Sequence, residues 1–342
     1  MTAVMRVDGP PNGAPGTDDP RMTRSPKSSP AKLVIVLMGD LSLGTQFGTK
    51  SGFEKAFREK GARSFLDGVR SRLDGADLRI ANLENVFTDS REFLRGKIYN
   101  FKAHAPDYVQ VLKENRIDHV NVANNHMADY LQKGFDDTLA LLDREGIRYF
   151  GTHLDKSPSR EIGGVIVDKV AFFEKNGLKI GLTGFLAFDS SFPTVAVIEK
   201  NLRLLKQGGA DFIIASMHGG GQNTTRVNAR QIQIAHQLID SGADLVYGHH
   251  PHILQRVEHY KGKIIYYSLG NFLFLHYRKS KLPETILLQV TVRRGEDGRA
   301  VADYENVPVL WMGTEHRNLF RPSVTDLPGR VRRITDILSG KP

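Results

Sequence analysis

The strongest constraint on this chain is a repeating alternation of apolar runs of strand length with stretches of helical spacing. KLVIVLMGD (32–40) opens the series as a buried strand. SFLDGVRSRLDGADLRIANLEN passes from a helix to a strand ending near Glu84, and YVQVLKENRIDHVNVANNH gives helix 107–115 and strand 118–123. LKIGLTGF (178–185), ADFIIASMHGG (210–220) and ADLVYGHHPH (243–252) continue it, the last preceded by ARQIQIAHQLIDSG, a helix with a glycine stop. KIIYYSLGNFLF and TILLQVTVRR then follow as strands with no helix between them. Alternation that closes on consecutive strands predicts a layered α/β domain with a mixed central β-sheet flanked by helices. Beyond position 293, VPVLWMG reads as one more strand and GRVRRITDIL as a terminal helix.

Residues 1–30, rich in Pro, Gly, Ser and charge, cannot build a core and are expected to be a disordered tail ahead of a single domain, 31–342. The N-terminal stretch has no apolar h-region, and no run in the chain approaches the ~18 apolar residues of a membrane span. A cytoplasmic chain with no membrane anchor is therefore expected. The absence of cysteine rules out disulfides, thiolate zinc sites and cysteine nucleophiles, so a metal must be held by His, Asp, Glu or Asn. A net charge of +9 fits either a solvated basic surface or an anionic partner. No nucleic-acid partner is expected, because no binding motif or dense basic run among aromatics is present.

The informative polar residues sit where strands end. Asp40, Glu84, Asn125 with His126, His218, and the group His249, His250 and His252 each follow a predicted strand. In α/β sheets, ligands bind beyond the carboxyl ends of the strands. One polar residue there is usually a turn residue or a helix cap. Five strand ends delivering Asp, Glu, Asn/His, His and His to one edge would instead build a metal site with no local motif. Carboxylates suit hard cations and imidazoles suit transition metals, so Ca²⁺, Mn²⁺, Zn²⁺ and Fe²⁺ all stay open. No pyridoxal-lysine signature is evident, and neither PLP nor a nucleotide is expected.

MGD (38–40), ANLEN (81–85), VANNHMADY (122–130), SMHGGG (216–221), GADLVYGHHPHILQ (242–255) and YYSLGNFLF (266–274) run in the order found in the CapA/PgsA-type proteins. On these stretches the chain resembles that branch of the calcineurin-like metallophosphoesterase fold. The resemblance implies Asp40, Glu84, Asn125, His218, His250 and His252 as the metal-binding set, with His126 as the acid/base imidazole near Asp129. It makes His249 a supporting group or a packed turn residue. Lys102 falls where the family tends to carry a basic residue, a candidate clamp for a substrate anion or else a surface lysine. Asn271 is a candidate to orient a ligand or to cap a turn. Two departures stand out: HGGGQNTT replaces the family's His-Trp-Gly and following acidic residue, and the anchor of many capsule-polymer members is missing.

An anchor-free sequence with this altered loop is similar to the peptide epimerases of lasso-peptide biosynthesis. That resemblance implies a metal-dependent isomerase inverting the α-carbon of a precursor peptide's C-terminal residue, a tryptophan in the known case, with the peptide's carboxylate as the recognised group. Inversion needs a base on each face. His126 with Asp129 would serve one face, a helix from Asn125 placing both on one side, and His252 or His250 with Asp40 the other. The alternatives are a metal-dependent phosphoesterase, and a role in poly-γ-glutamate or capsule synthesis.

Overall fold

A computed structural model describes residues 31–46, 53–104, 107–151, 160–162, 165–167, 170–188, 193–274 and 282–341. The expected tail, His153 and His276 lie outside them. The β-α alternation is resolved into two mixed sheets packed face to face with helices outside, the layering that the resemblance implies. The first sheet has eight strands. Its parallel part runs Lys32–Ser42, Leu78–Leu83, His119–Asn121, Arg148–Phe150, and the antiparallel strands Glu284–Arg294 and Ala300–Leu310 extend it on the other side. The second sheet has six strands, with Leu178–Leu186, Phe212–His218, Leu245–His249 and Lys263–Tyr266 in parallel order. VPVLWMG completes the strand Ala300–Leu310 and begins the turn after it; GRVRRITDIL forms most of the terminal helix Pro328–Leu338.

Period-two alternation decides which side chains meet. Leu33, Ile35 and Leu37 face inward and join Ile180, Leu182, Phe212, Ile214, Leu245 and Tyr247 of the other sheet in one core. Val36 and Met38 face outward beneath the helices Val109–Glu114 and Leu131–Glu145. On the far side, Ile213, Ala215, Met217 and Val246 pack under Val195–Gln207 and Ala229–Asp240. Each fully buried aliphatic side chain of this kind contributes about 1.5–3 kcal/mol. Among the described residues no helix is long and apolar enough to cross a membrane.

The starting edge of both sheets is closed by one repeated device. Asp77, Asp118, Asp211 and Asp244 each precede a parallel strand, and each carboxylate accepts a backbone N–H of the neighbouring strand, from Val34, Arg79, Lys179 and Ile213, at 2.8 Å. The backbone N–H of each aspartate donates back to the carbonyl of that same residue, so register is fixed at the start of these four pairs.

At the opposite edge the chain crosses between sheets. After Lys263–Tyr266 in the second sheet it runs directly into Asn271–Phe274, which pairs parallel with Lys32–Ser42 in the first. The crossing is tight enough to demand glycine on both sides. A Cβ on Gly39 would lie 2.0 Å from the carbonyl oxygen of Gly270, and one on Gly248 would lie 2.1 Å from that of Tyr267. Gly39→Ala should therefore destabilise the protein by roughly 2–3 kcal/mol, read as a lower thermal midpoint. An unchanged midpoint would mean that the crossing has slack.

His119 lies buried in the first sheet with its ring edge-on to Phe173. Burial, helped by the charge of Arg148, lowers its pKa from 6.5 to about 4. Between those values the unfolded chain binds a proton that the folded one does not, so stability falls as pH drops through this window. From pH 7 to pH 5 the share of His119 is about 2 kcal/mol. His119→Leu should narrow the difference in denaturant-unfolding free energy between those pH values by about that amount.

Candidate metal centre

Register builds the site. Across the first sheet, Asn271, Asp40, Asn82 and Asn121 are aligned partners on four adjacent strands, a polar row crossing the end of an otherwise apolar sheet. In the second sheet His218 aligns with His249. The two rows face each other, and Glu84 enters one residue beyond the strand Leu78–Leu83. Asp40, Glu84, His126, Asp129, His218, His249, His250, His252 and Asn271 are all buried.

Glu84 is the hub. Its Oε1 accepts no hydrogen bond among the described residues, although the side chain is fully buried. The Nε2 atoms of His126, His218 and His252 each lie 3.8 Å from that oxygen. This is too long for a hydrogen bond; for His218 and His252 it suits atoms that share a cation, while His126 is not among the gathered ligand atoms. Two sets of ligand atoms, Asp40–Glu84–His218 and Glu84–His250–His252, gather within 4.8 Å and share Glu84. The residues present thus fit a divalent cation. Asn125, half-buried, adds its Oδ1 at 2.7 Å from His218 Nε2.

The surrounding contacts fix which nitrogen faces the centre. His252 Nδ1 lies 3.0 Å from Asn271 Oδ1 and 3.3 Å from Asp40 Oδ2, two acceptors that place the proton on Nδ1 and leave the Nε2 lone pair toward Glu84. His126 is held the same way, with Nδ1 2.6 Å from Asp129 Oδ2. His249 answers differently from its neighbours: its Nδ1 lies 2.8 Å from Asp40 Oδ1, so it supports Asp40. His250 meets Asp40 only through its backbone N–H at 3.4 Å, and its ring sits edge-on to Phe188 at 4.6 Å.

Charge follows from this packing. Burial alone would raise Asp40, but its contacts with His249 and His252 outweigh that and hold it well below the usual carboxylate range. Burial, followed by the charge of Asp40, pushes Glu84 well above it. Burial lowers His126 to about 4, His250 to about 3, and His218 well below its usual value. The lowered values keep these imidazoles neutral, the form in which a ring nitrogen can bind a cation.

Backbone strain aims the loop. His250 and His252 are non-glycine residues at φ 95 and 61, flanking Pro251. Such conformations cost of order 1–3 kcal/mol each and persist where the surroundings impose them.

Some placements differ from expectation. Asn125 to Tyr130 form successive turns, and the helix begins only at Leu131. The Asp129 N–H bonds the His126 carbonyl at 3.2 Å, so the three-residue spacing still brings the pair together without a helix. Lys102 donates to the Ser90 carbonyl at 2.6 Å and lies over the Tyr130 ring. The cation that touches the dyad is Lys97, bonded to Asp129 and, at 2.8 Å, to the Asn125 carbonyl. Asn82 also escaped the sequence reading. It donates to Asp40 Oδ1 at 3.0 Å and accepts from Asn121 at 3.0 Å and Asn124 at 3.3 Å. Two-residue alternation with Glu84 was the available signal for Asn82; Lys97 had none.

The sequence is similar to the PGA biosynthesis protein CapA of Bacillus subtilis, 28% identical over 273 residues, 77% of this chain and 68% of that one. It is likewise 28% identical to a probable polyglutamine synthesis accessory protein of Mycobacterium tuberculosis, over 76% of this chain and 72% of that one. The structure is similar to that of a novel phosphatase from Mycoplasma pneumoniae at a TM-score of 0.49 and 14% identity, covering 81% of this chain and 95% of that one. Residues 34–276, which hold every side chain of the centre, match the family described as bacterial capsule synthesis protein PGA_cap, and the chain belongs to that family.

Proposed function

We propose that this chain is a metal-dependent hydrolase of capsule-polymer synthesis, acting on an anionic acyl polymer of the poly-γ-glutamate kind. The observation that carries this reading is the Glu84 oxygen, buried without a hydrogen bond among the described residues and faced by three imidazoles at 3.8 Å. The relatives named above support the polymer class. A divalent cation held by Asp40, Glu84, His218, His250 and His252, with Asn125 beside them, would supply Lewis acidity at the scissile group. His126, its Nδ1 fixed by Asp129, presents Nε2 to take a proton from water and return it to the leaving group, a contribution of about 10²–10⁴ in rate. Lys97 holds Asp129 in place and, being 23% exposed on its side chain, offers positive charge toward an arriving anion. Lys102 is the candidate for a second anion contact farther from the dyad. Asn271 keeps the His252 ring in orientation.

A second reading, inversion at the α-carbon of a precursor peptide's C-terminal residue, is favoured by one feature. Two imidazole–carboxylate pairs, His126–Asp129 and His252–Asp40, direct Nε2 atoms at the same Glu84 oxygen. Neither relative named above is described as an epimerase.

The two readings part in one experiment. Metal-loaded protein is incubated in D₂O with poly-γ-glutamate and, separately, with a peptide bearing a free C-terminus. Shortening of the polymer, abolished by chelation, is expected. Deuterium at the peptide's last α-carbon with inversion and no cleavage would transfer the assignment to the second reading, and neither outcome with metal bound would remove both.

Two variants separate metal holding from proton transfer. Glu84→Gln should weaken Mn²⁺ or Zn²⁺ binding by at least about 10-fold in calorimetry. His126→Asn should keep the metal and the fold while turnover drops about 10²-fold or more.

A further inference from the structure

Half of the ten large apolar side chains left exposed among the described residues lie beside the His126–Asp129 pair: Phe93, Leu94, Ile98, Tyr99 and Leu131, between 40 and 77% exposed. The other five, Phe172, Val195, Val301, Leu319 and Leu327, come from other segments of the chain. Contacts tie the first five to one rim. The Leu94 N–H bonds the Asp129 carbonyl at 2.8 Å, Phe93 lies against Tyr130, and Tyr99 stacks on Phe101, which stacks on His126 at 4.4 Å. Leu131 adjoins Tyr130 with a left-handed φ of 57, an unusual setting for an exposed leucine. Between the apolar residues stand Arg91, Arg95 and Lys97 against a single acid, Glu92, and Arg91 and Arg95 are exposed.

The chemistry of the partner follows from what the loop exposes. Ile98, at 77% exposure, is its most exposed apolar group. A cavity of 1050 Å³ lies elsewhere, between Asn223–Thr225 and the terminal helix. Apolar side chains interleaved with arginine and lysine meet the needs of a lipid interface, where a few side chains enter the acyl boundary and the cations lie among anionic headgroups. The net charge of +9 acts in the same direction.

We propose that the 91–99 loop docks this chain on an anionic lipid surface, with the His126–Asp129 side of the metal centre toward the bilayer. This goes beyond the hydrolase reading and does not depend on it. The test is flotation of the full chain with vesicles of phosphatidylglycerol and phosphatidylcholine, against phosphatidylcholine alone. Binding to the anionic vesicles only, weakened by salt, is expected. Phe93→Ser with Ile98→Ser should reduce it about tenfold or more. Arg91→Gln and Arg95→Gln should each reduce it about fivefold. Equal thermal midpoints would show that these surface variants fold. No flotation of the wild type, equal flotation with neutral vesicles, or variants that float like the wild type would each overturn the proposal. So would a Phe93→Ser, Ile98→Ser variant that floats normally but loses binding of poly-γ-glutamate in lipid-free buffer, since the rim would then be a substrate contact.

Discussion

Strand register is the constraint from which the rest of this molecule follows. Hydrogen bonding between neighbouring backbones sets Asn271, Asp40, Asn82 and Asn121 side by side, and a one-residue slip in any strand would turn its member of the row to the other face. The second sheet delivers His218 and His249 by the same means. Residues far apart in the chain become neighbours because the ladders around them leave no other alignment. The amides of Asn82, Asn121 and Asn124 then occupy one another, so the floor beneath the carboxylates is rigid and polar without carrying charge.

A buried group of two carboxylates and several imidazoles is a poor way to stabilise a protein. Desolvation of an ionised carboxylate costs several kcal/mol unless paired, and like charges nearby add to it. Asp40 finds partners in His249 and His252; Glu84 does not find an equivalent set. The left-handed backbone at His250 and His252 adds strain in the same few residues. Unfavourable terms concentrated at one edge, within a core that is otherwise apolar and closely packed, mark a place arranged for binding.

Much of this was legible in the sequence because strands end abruptly. Asp40, Glu84, His218 and His249 each terminate or follow an apolar run, and a residue at that point in a parallel sheet has few places to go. The division into two sheets was not legible, since alternation tells which residues share a face but not which sheet a strand joins. Which histidine meets Asp40 depended on the two left-handed residues around Pro251, and no spacing rule carries that information. The turns from Asn125 to Tyr130 imitate a helix in their three-residue spacing, so the expected helix failed while the His126–Asp129 pair survived. Lys97 sits in an irregular segment without periodicity, where only the folded arrangement shows what it touches.

The four aspartates that close the starting edge of the sheets have a consequence for how such a scaffold changes over time. They hold strand alignment from the end remote from the ligands, using the same carboxyl group that Asp40 offers at the working end. Support and chemistry are thereby assigned to opposite margins of the molecule. A lineage can exchange the residues of one margin while the other keeps the architecture in place.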